Sequence, residues 1–303
     1  MKSNYLIAIV GATAIGKTAL SILLAEHFKT EIISSDSRQF FKEMYIGTAI
    51  PNVNELSQIK HHFIHDHSIF NNYNVGEFER EAIAKLNDLF KKHQIIIMVG
   101  GSGLYTDTVL NGLDDFPDVN PQIRLVLKSD LRVKGIEFLQ EKLKKLDFKA
   151  YQKIDIDNKQ RLIRALEICI GTGKPFSSFL KNKIKKRNFI PIKIGIKAER
   201  EIIYNRINQR VDIMMQSGLL EEAKELYKHK HLNALQTVGY KELFNYLDGN
   251  YSLDFAISEI KKNTRRFAKR QITWFKKDND IEWFDYQHPL HNIVTYIDKR
   301  TEL

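Results

Sequence analysis

Apolar residues crowd positions 5–10 into a short β-branched run that stops at Gly11, and the next apolar positions, Leu20, Leu23, Leu24 and Phe28, fall at helical spacing. The pattern predicts a strand, a glycine loop and a helix over 17–28. Residues 31–34 then read as a second buried strand, and 75–93 as an amphipathic helix with Phe78, Ile83, Leu86, Leu89 and Phe90 on its apolar side. Residues 95–99 are apolar at every position, as a parallel strand covered on both faces requires. Strands alternating with helices in this way predict a doubly wound parallel sheet.

The pattern changes after Asp114. Residues 115–121 hold Asp115, Pro117, Asp118 and Pro121, a turn-rich stretch suited to a domain edge. From there to about residue 187 the chain reads as helical and heavily charged, without a strand candidate. Residues 189–196 restore a β-branched strand, and 199–277 are nearly all helix, broken at Gly218, Gly239 and Gly249. The expected fold is therefore α/β: a P-loop NTPase-like parallel sheet flanked by helices, with an all-helical insertion and a helical C-terminal region. The expected domains are a P-loop core, first part, at 1–116, a helical insertion at 117–188, and core completion with basic helices at 189–303.

Composition narrows the function classes. The 303 residues are 43% hydrophobic, ordinary for a packed protein and too apolar for a disordered one. Lys and Arg number 47 against 37 Asp and Glu, a net charge of +10 that favours a polyanionic partner such as nucleic acid, although a solvated basic surface gives the same count. The single cysteine, Cys169, has no partner for a disulfide or a thiolate cage, which fits a reducing cytoplasm. The apolar run at 5–10 is too short for a signal peptide, and no stretch approaches the roughly 20 apolar residues of a membrane span. The expectation is a cytoplasmic protein without membrane association.

Gly11-Ala12-Thr13-Ala14-Ile15-Gly16-Lys17-Thr18 matches the P-loop pattern G-x-x-x-x-G-K-[ST] between a predicted strand and helix, where its mechanism needs it. Backbone N–H groups turn inward on phosphate oxygens, Lys17 neutralises charge, and the Thr18 hydroxyl can ligate Mg²⁺. Such a loop implies a di- or triphosphate without naming the nucleotide. An ATP-splitting enzyme usually ends a strand like 95–99 with a carboxylate; this one runs into Gly100-Gly101-Ser102-Gly103-Leu104-Tyr105, which allows close backbone approach and offers a hydroxyl, or is simply a glycine turn. Ser35-Asp36-Ser37-Arg38-Gln39 comes directly after the second strand and so lies at the carboxyl edge of the sheet, where ligands gather. Asp36 there reads as a general base, a metal ligand or a helix N-cap.

Two further features are ambiguous. In His61-His62-Phe63-Ile64-His65-Asp66-His67, alternation along an extended segment would place His61, His65 and His67 on one face, yet no zinc-type pattern of supporting groups accompanies them; packing and hydrogen bonding near the site is the preferred reading. Lys262, Arg266 and Arg270 fall at i, i+4 spacing on a helix, suited to phosphate backbone contact or to plain solvation.

Taken with Met44-Tyr45-Ile46-Gly47-Thr48-Ala49-Ile50-Pro51, Gln160-Arg161-Leu162-Ile163-Arg164-Ala165-Leu166-Glu167 and Ala268-Lys269-Arg270-Gln271-Ile272-Thr273-Trp274, the P-loop, the Asp36 block and the Gly100 block resemble, in order and over nearly the whole chain, the bacterial tRNA dimethylallyltransferase (tRNA isopentenyltransferase) family. The resemblance implies a P-loop that holds dimethylallyl diphosphate with Mg²⁺, and a tRNA anticodon stem-loop whose adenosine 37 is flipped into a channel. It implies that Asp36 accepts the N6 proton as nitrogen attacks the allylic carbon. It also places Thr13, Ser102 and Arg124 at the reaction, and assigns tRNA contact to Asp36, Ser37, Arg38, Gln39, Ser102, Arg124, Gln160, Arg161, Leu162, Ile163, Arg164, Gly239, Tyr240 and Lys241, to which the basic helix adds Arg266 and Arg270. A monomer is the expected state. Ala12 stands where the family often has proline, and Ser102 where it usually has threonine; neither change removes a hydrogen-bond donor.

The implied chemistry is coherent. Diphosphate leaves readily only when its developing charge is neutralised. Adenine N6 is a poor nucleophile until a carboxylate takes its proton, and a base is extruded more cheaply from a loop than from a duplex. The rival readings are an ATP-dependent small-molecule kinase and a non-catalytic tRNA-binding P-loop protein.

Overall fold

A computed structural model describes residues 3–180 and 185–301. Residues 181–184, part of the expected insertion, lie outside the described residues. In chain order, β1 (Tyr5–Gly11), α1 (Lys17–His27), β2 (Ile32–Ser34), α2 (Val53–Gln58), β3 (His61–His62), α3 (Val75–Leu89), β4 (Ile95–Val99) and α4 (Gly103–Asn111) come first. Then come α5 (Pro121–Leu146), α6 (Phe148–Lys153), α7 (Lys159–Thr172), β5 (Ile190–Lys197), α8 (Arg200–Gln216), α9 (Leu219–Leu226), α10 (Tyr240–Leu247), α11 (Leu253–Phe275), β6 (Glu282–Asp285) and α12 (Leu290–Thr301).

The six strands form one parallel sheet in the order β3-β2-β4-β1-β5-β6. Every residue of β1 is buried, because β1 lies inside the sheet with β4 and β5 as neighbours and both faces are covered. Side chains alternate between those faces. Ile7, Ile9, Ile97 and Ile194 join Leu24 of α1 and Ile297 of α12, whereas Leu6, Ala8, Ile96 and Met98 meet Phe78 and Leu86 of α3 and Val109 of α4. Phe78 has no exposed surface, so truncating it to alanine would cost about 3–5 kcal/mol.

Local signals set the helix ends. Asn74 accepts from the Gly76 and Glu77 amides while Glu77 accepts from the Asn74 amide, a capping box that starts α3. The helix ends at Leu89 with Phe90 as its cap, four residues short of the expected 93, and Lys91 and Lys92 continue as turn. Strands β3 and β6 have no counterpart in the periodicity: β3 is two residues long and β6 is an edge strand of four with only partial burial, too little alternation to register. The C-terminal region is therefore not wholly helical.

Two compact units divide the molecule: Met1–Asn111 with Lys186–Leu303, and Gly112–Lys185. The first holds the sheet. The second holds α5, α6 and α7 around Leu139, Leu143, Leu162 and Leu166, and α5 is interrupted at Gly135, where φ is 84°. Residues 112–120 carry no helix or strand. Among the described residues no helix is long and apolar enough to cross a membrane.

Candidate active site

Parallel order places the loops after β1, β2 and β4 at one end of the sheet, on either side of the point where the chain's strand order reverses. The loop after β1 is tight. Gly11 has φ 145°, and a Cβ there would lie 2.7 Å from the Ile196 carbonyl oxygen on β5, so only glycine lets the two strands run this close. Ala14 takes a left-handed φ of 64° and Gly16 one of 108°, and successive turns of this kind point N–H groups into a common concavity. Ala12 and Ile15 are buried in the core, so the loop offers a ligand their backbone and the side chains of Thr13, Lys17 and Thr18.

A cleft of about 320 Å³ opens over this loop, lined by Lys17, Thr18, Asp36, His61, Gly100 and Arg210 among others. Lys17 Nζ donates to the Ala12 carbonyl at 2.7 Å. Desolvation brings its pKa down to about 8, with Arg210 acting in the same direction and Asp36 opposing. Burial pushes the Asp36 carboxyl above the usual range, against the Arg38 amide, Lys17, Arg38 and Arg210, which favour its charged form. The cleft thus holds a carboxylate that binds a proton more readily than usual and an ammonium that releases one more readily than usual, two groups tuned toward neutral pH.

Asp36 is not a helix N-cap. Residues 37–40 form a turn, and Asp36 Oδ1 accepts from the Arg38 amide at 3.1 Å, an Asx turn that leaves the carboxylate in the cleft. Ser102 ties this loop to the one after β4: its Oγ accepts from the Ser37 amide and donates to Ser37 Oγ, each at 3.0 Å. Gln39 donates to the Ala49 carbonyl at 3.1 Å and accepts from Ser34 Oγ at 3.1 Å, and Arg38 Nη1 donates to the Ala234 carbonyl at 2.9 Å. Asp36, Ser37, Arg38, Gln39, Thr13 and Ser102 are thereby gathered in one unit.

The remaining expected residues fall elsewhere. Arg124 lies in the helical unit, where its Nε and Nη2 donate to Glu167 at 3.1 and 2.8 Å, and Arg164 donates to the same carboxylate at 3.1 Å. The two guanidiniums hold Glu167 below the usual carboxylate range despite its burial, which raises it. Within 160–164, Leu162 and Ile163 are core residues, whereas Gln160 and Arg161 are exposed. Tyr240 is likewise buried. It has no exposed surface, its hydroxyl donates to Glu222 at 2.6 Å, and Gly239 beside it is buried, leaving Lys241 as the exposed residue of that segment. Arg266 and Arg270 are exposed on α11, Arg266 donating to Asn263 at 3.3 Å and Arg270 lying 5.8 Å from the Phe267 ring centroid.

The histidines do not alternate along a strand. Phe63 and His65 have positive φ, so the chain turns after β3. His61 Nδ1 donates to the Ile59 carbonyl at 2.8 Å beside the cleft, His62 pairs with Glu31 at 2.6 Å, and His67 packs on Tyr73 with centroids 3.6 Å apart. Among the described residues there is no group of three or more His, Cys, Asp or Glu able to hold a metal by themselves. A metal in the cleft would need the Thr18 hydroxyl together with phosphate oxygens, the usual habit of Mg²⁺.

Two residues at the P-loop escape the motif reading. Arg206 and Arg210, one turn apart on α8, donate to the Ile15 carbonyl at 3.1 Å and to Thr13 Oγ1 at 3.3 Å. Their i, i+4 spacing is the visible signal, identical to that of Arg266 and Arg270.

The model of the IPP transferase family matches residues 39–278. The chain is 59% identical over 300 residues to the tRNA dimethylallyltransferase of Flavobacterium johnsoniae, covering 97% of each, and 60% identical over 298 residues to that of Christiangramia forsetii, covering 98% of this chain and 99% of the relative. Among solved structures it is similar to the full-length tRNA isopentenylpyrophosphate transferase of Bacillus halodurans, with TM-score 0.74 and 36% identity over 99% of this chain and 97% of that one. It is also similar to a eukaryotic dimethylallyltransferase acting on tRNA, with TM-score 0.80 and 28% identity over 98% of this chain and 77% of that one. With most of its length matched by the family model and by these relatives, the chain belongs to the IPP transferase family.

Proposed function

We propose that this chain transfers the dimethylallyl group from dimethylallyl diphosphate to N6 of adenosine 37, beside the anticodon of tRNA, giving N6-dimethylallyladenosine and diphosphate. The observation that carries this reading is the presence of the Asp36 carboxylate in the same cleft as the P-loop, Lys17 and Arg210. The diphosphate would lie on the loop amides with Lys17 and Arg210 meeting its charge, which rises as the allylic C–O bond breaks. Asp36 would take the N6 proton as the N–C bond forms. Mg²⁺, held through Thr18 and the diphosphate oxygens, would supply further charge neutralisation. Thr13 and Ser102 would shape the site, and Arg124 would act on the diphosphate or the RNA from the helical unit. The strand β4 ends at Val99 and runs into Gly100 and Gly101, where an ATP-splitting enzyme would carry a carboxylate, which argues against the kinase reading.

For tRNA contact the reading draws on exposed or half-buried residues: Ser37, Arg38 and Gln39 at the cleft, Gln160, Arg161 and Arg164 on α7, Lys241, and Arg266 with Arg270 on α11. A monomer working in the cytoplasm is the accompanying proposal; the lone, unpaired Cys169 supports the reducing compartment. Incubation with radiolabelled dimethylallyl diphosphate and unmodified tRNA tests it: label should move to tRNA with one diphosphate released per transfer. ATP turnover without tRNA and no transfer of label would instead favour a kinase.

A further inference from the structure

Gln271 is 5% exposed on α11, far along the chain from both loops that face the diphosphate, yet its carboxamide touches each. Its Oε1 accepts from the Thr13 amide at 2.8 Å, and its Nε2 donates to the Gly101 carbonyl at 2.8 Å. The partners fix the amide's orientation, since an N–H must donate on one side and a carbonyl accept on the other. The carboxamide lies against Gly101: a Cβ there would lie 2.2 Å from Gln271 Nε2, so a larger residue would displace the amide from this position. One turn on, Trp274 Nε1 donates to Asp107 of α4 at 2.7 Å, and a Cβ on Gly103 would lie 2.4 Å from the indole. One face of α11 therefore holds the loop after β4 through Gly101 and the helix α4 that follows it through Gly103 and Asp107, and also reaches the P-loop.

Thr13 is held from both ends, because its Oγ1 accepts from Arg210 while its amide donates to Gln271. The Thr13 amide is thereby committed to Gln271, and the loop is anchored at its third residue from two helices, α8 and α11. We propose that Gln271 is a positioning residue for the transfer reaction: it locks the P-loop to the loop after β4, so that the groups meeting the diphosphate and Asp36 keep one spacing. The inference rests on the proposed transfer activity. Its chemical reason is that only a carboxamide of this length supplies an acceptor to one loop and a donor to the other. Methionine has the length and neither strong group, and a carboxylate keeps the acceptor but opposes the Gly101 carbonyl.

The test compares Gln271→Met and Gln271→Glu with the wild type in steady-state kinetics, in binding of inorganic diphosphate by calorimetry, and in thermal unfolding. For Gln271→Met the expected result is a kcat lower by roughly 10²-fold, as for an ångström-scale misplacement. Diphosphate affinity should weaken by roughly tenfold, as for one buried amide left unpaired, with KM for tRNA little changed. For Gln271→Glu the activity relative to wild type at the same pH should recover as pH falls, because a protonated carboxyl can again donate to Gly101. Wild-type kcat and diphosphate affinity in both variants would overturn the proposal. A kcat loss that merely tracks the folded fraction, with diphosphate affinity and the pH ratio unchanged, would overturn it as well. Failure of the wild type to prenylate tRNA would count against the activity alone, since the diphosphate measurement still judges Gln271.

Discussion

Two sets of cations in this chain carry the same charge under opposite solvent conditions. Lys17 and Arg210 meet at the P-loop, where desolvation lowers the Lys17 pKa to about 8 and also lowers that of Arg210. Arg266 and Arg270 stand exposed on α11. A desolvated cation acts at close range on one group and is little screened by salt, whereas an exposed one is screened within a Debye length of about 8–10 Å and contributes mainly to the affinity of a polyanion. Net charge alone cannot separate the two; burial does.

The sharpest way to break this distinction is at the carboxylate between the cleft cations. Asp36→Asn keeps the shape and removes the proton acceptor, so prenyl transfer should fall by roughly 10²–10⁴-fold while tRNA affinity stays close to wild type. Activity within a few-fold of wild type would take Asp36 out of the proton-transfer role. Lys17→Ala comes next, with kcat/KM expected to fall by about 10²-fold or more. Because Lys17 would meet charge in ground and transition states alike, KM for dimethylallyl diphosphate and kcat should both suffer. Full rate at saturating diphosphate substrate would restrict it to binding.

The pH profile sharpens the same contrast. The raised Asp36 carboxyl must be ionised to act, so kcat/KM should fall as pH drops through a pKa above the ordinary carboxylate range. Lys17 must be protonated, so the alkaline limb should begin near its pKa of about 8 in the free enzyme. Lys17→Arg should move that limb upward, since guanidinium stays charged; an unmoved limb would assign it to another group. Smallest in catalytic effect is the exposed pair. Arg266→Glu with Arg270→Glu should flatten the salt dependence of log K for tRNA by roughly 0.7–0.9 for each phosphate no longer neutralised and leave the rate on saturating tRNA nearly intact, provided circular dichroism shows the fold preserved. An unchanged dissociation constant across a salt series would remove this face from the RNA surface.

The same contrast explains what the sequence makes legible. Strands β1 and β4 and the helices α1 and α3 announce themselves because each carries its whole signal within a dozen or so residues, and the P-loop does so because its motif is one contiguous run from Gly11 to Thr18. Asp36 reaches the cleft for an equally local reason, its place just after β2 at the carboxyl edge. Arg210 and Gln271 meet Thr13 from 197 and 258 residues away, and no window along the chain joins them. Tyr240, Leu162 and Ile163 show the converse: a segment can run along a surface while the middle of it points inward, and periodicity on an amphipathic helix already says which positions do so. The histidine run misleads because alternation presumes an extended backbone, and the positive φ at Phe63 and His65 ends it.

The central claim is that the cleft moves a prenyl group onto an exocyclic nitrogen of RNA. The most direct measurement is nucleoside analysis by mass spectrometry of unmodified tRNA carrying adenosine 37, incubated with the purified chain, dimethylallyl diphosphate and Mg²⁺. The account predicts N6-dimethylallyladenosine at that position, lost when diphosphate substrate is withheld and strongly reduced by Asp36→Asn. Unmodified adenosine at position 37 after incubation with well-folded wild-type protein would contradict it.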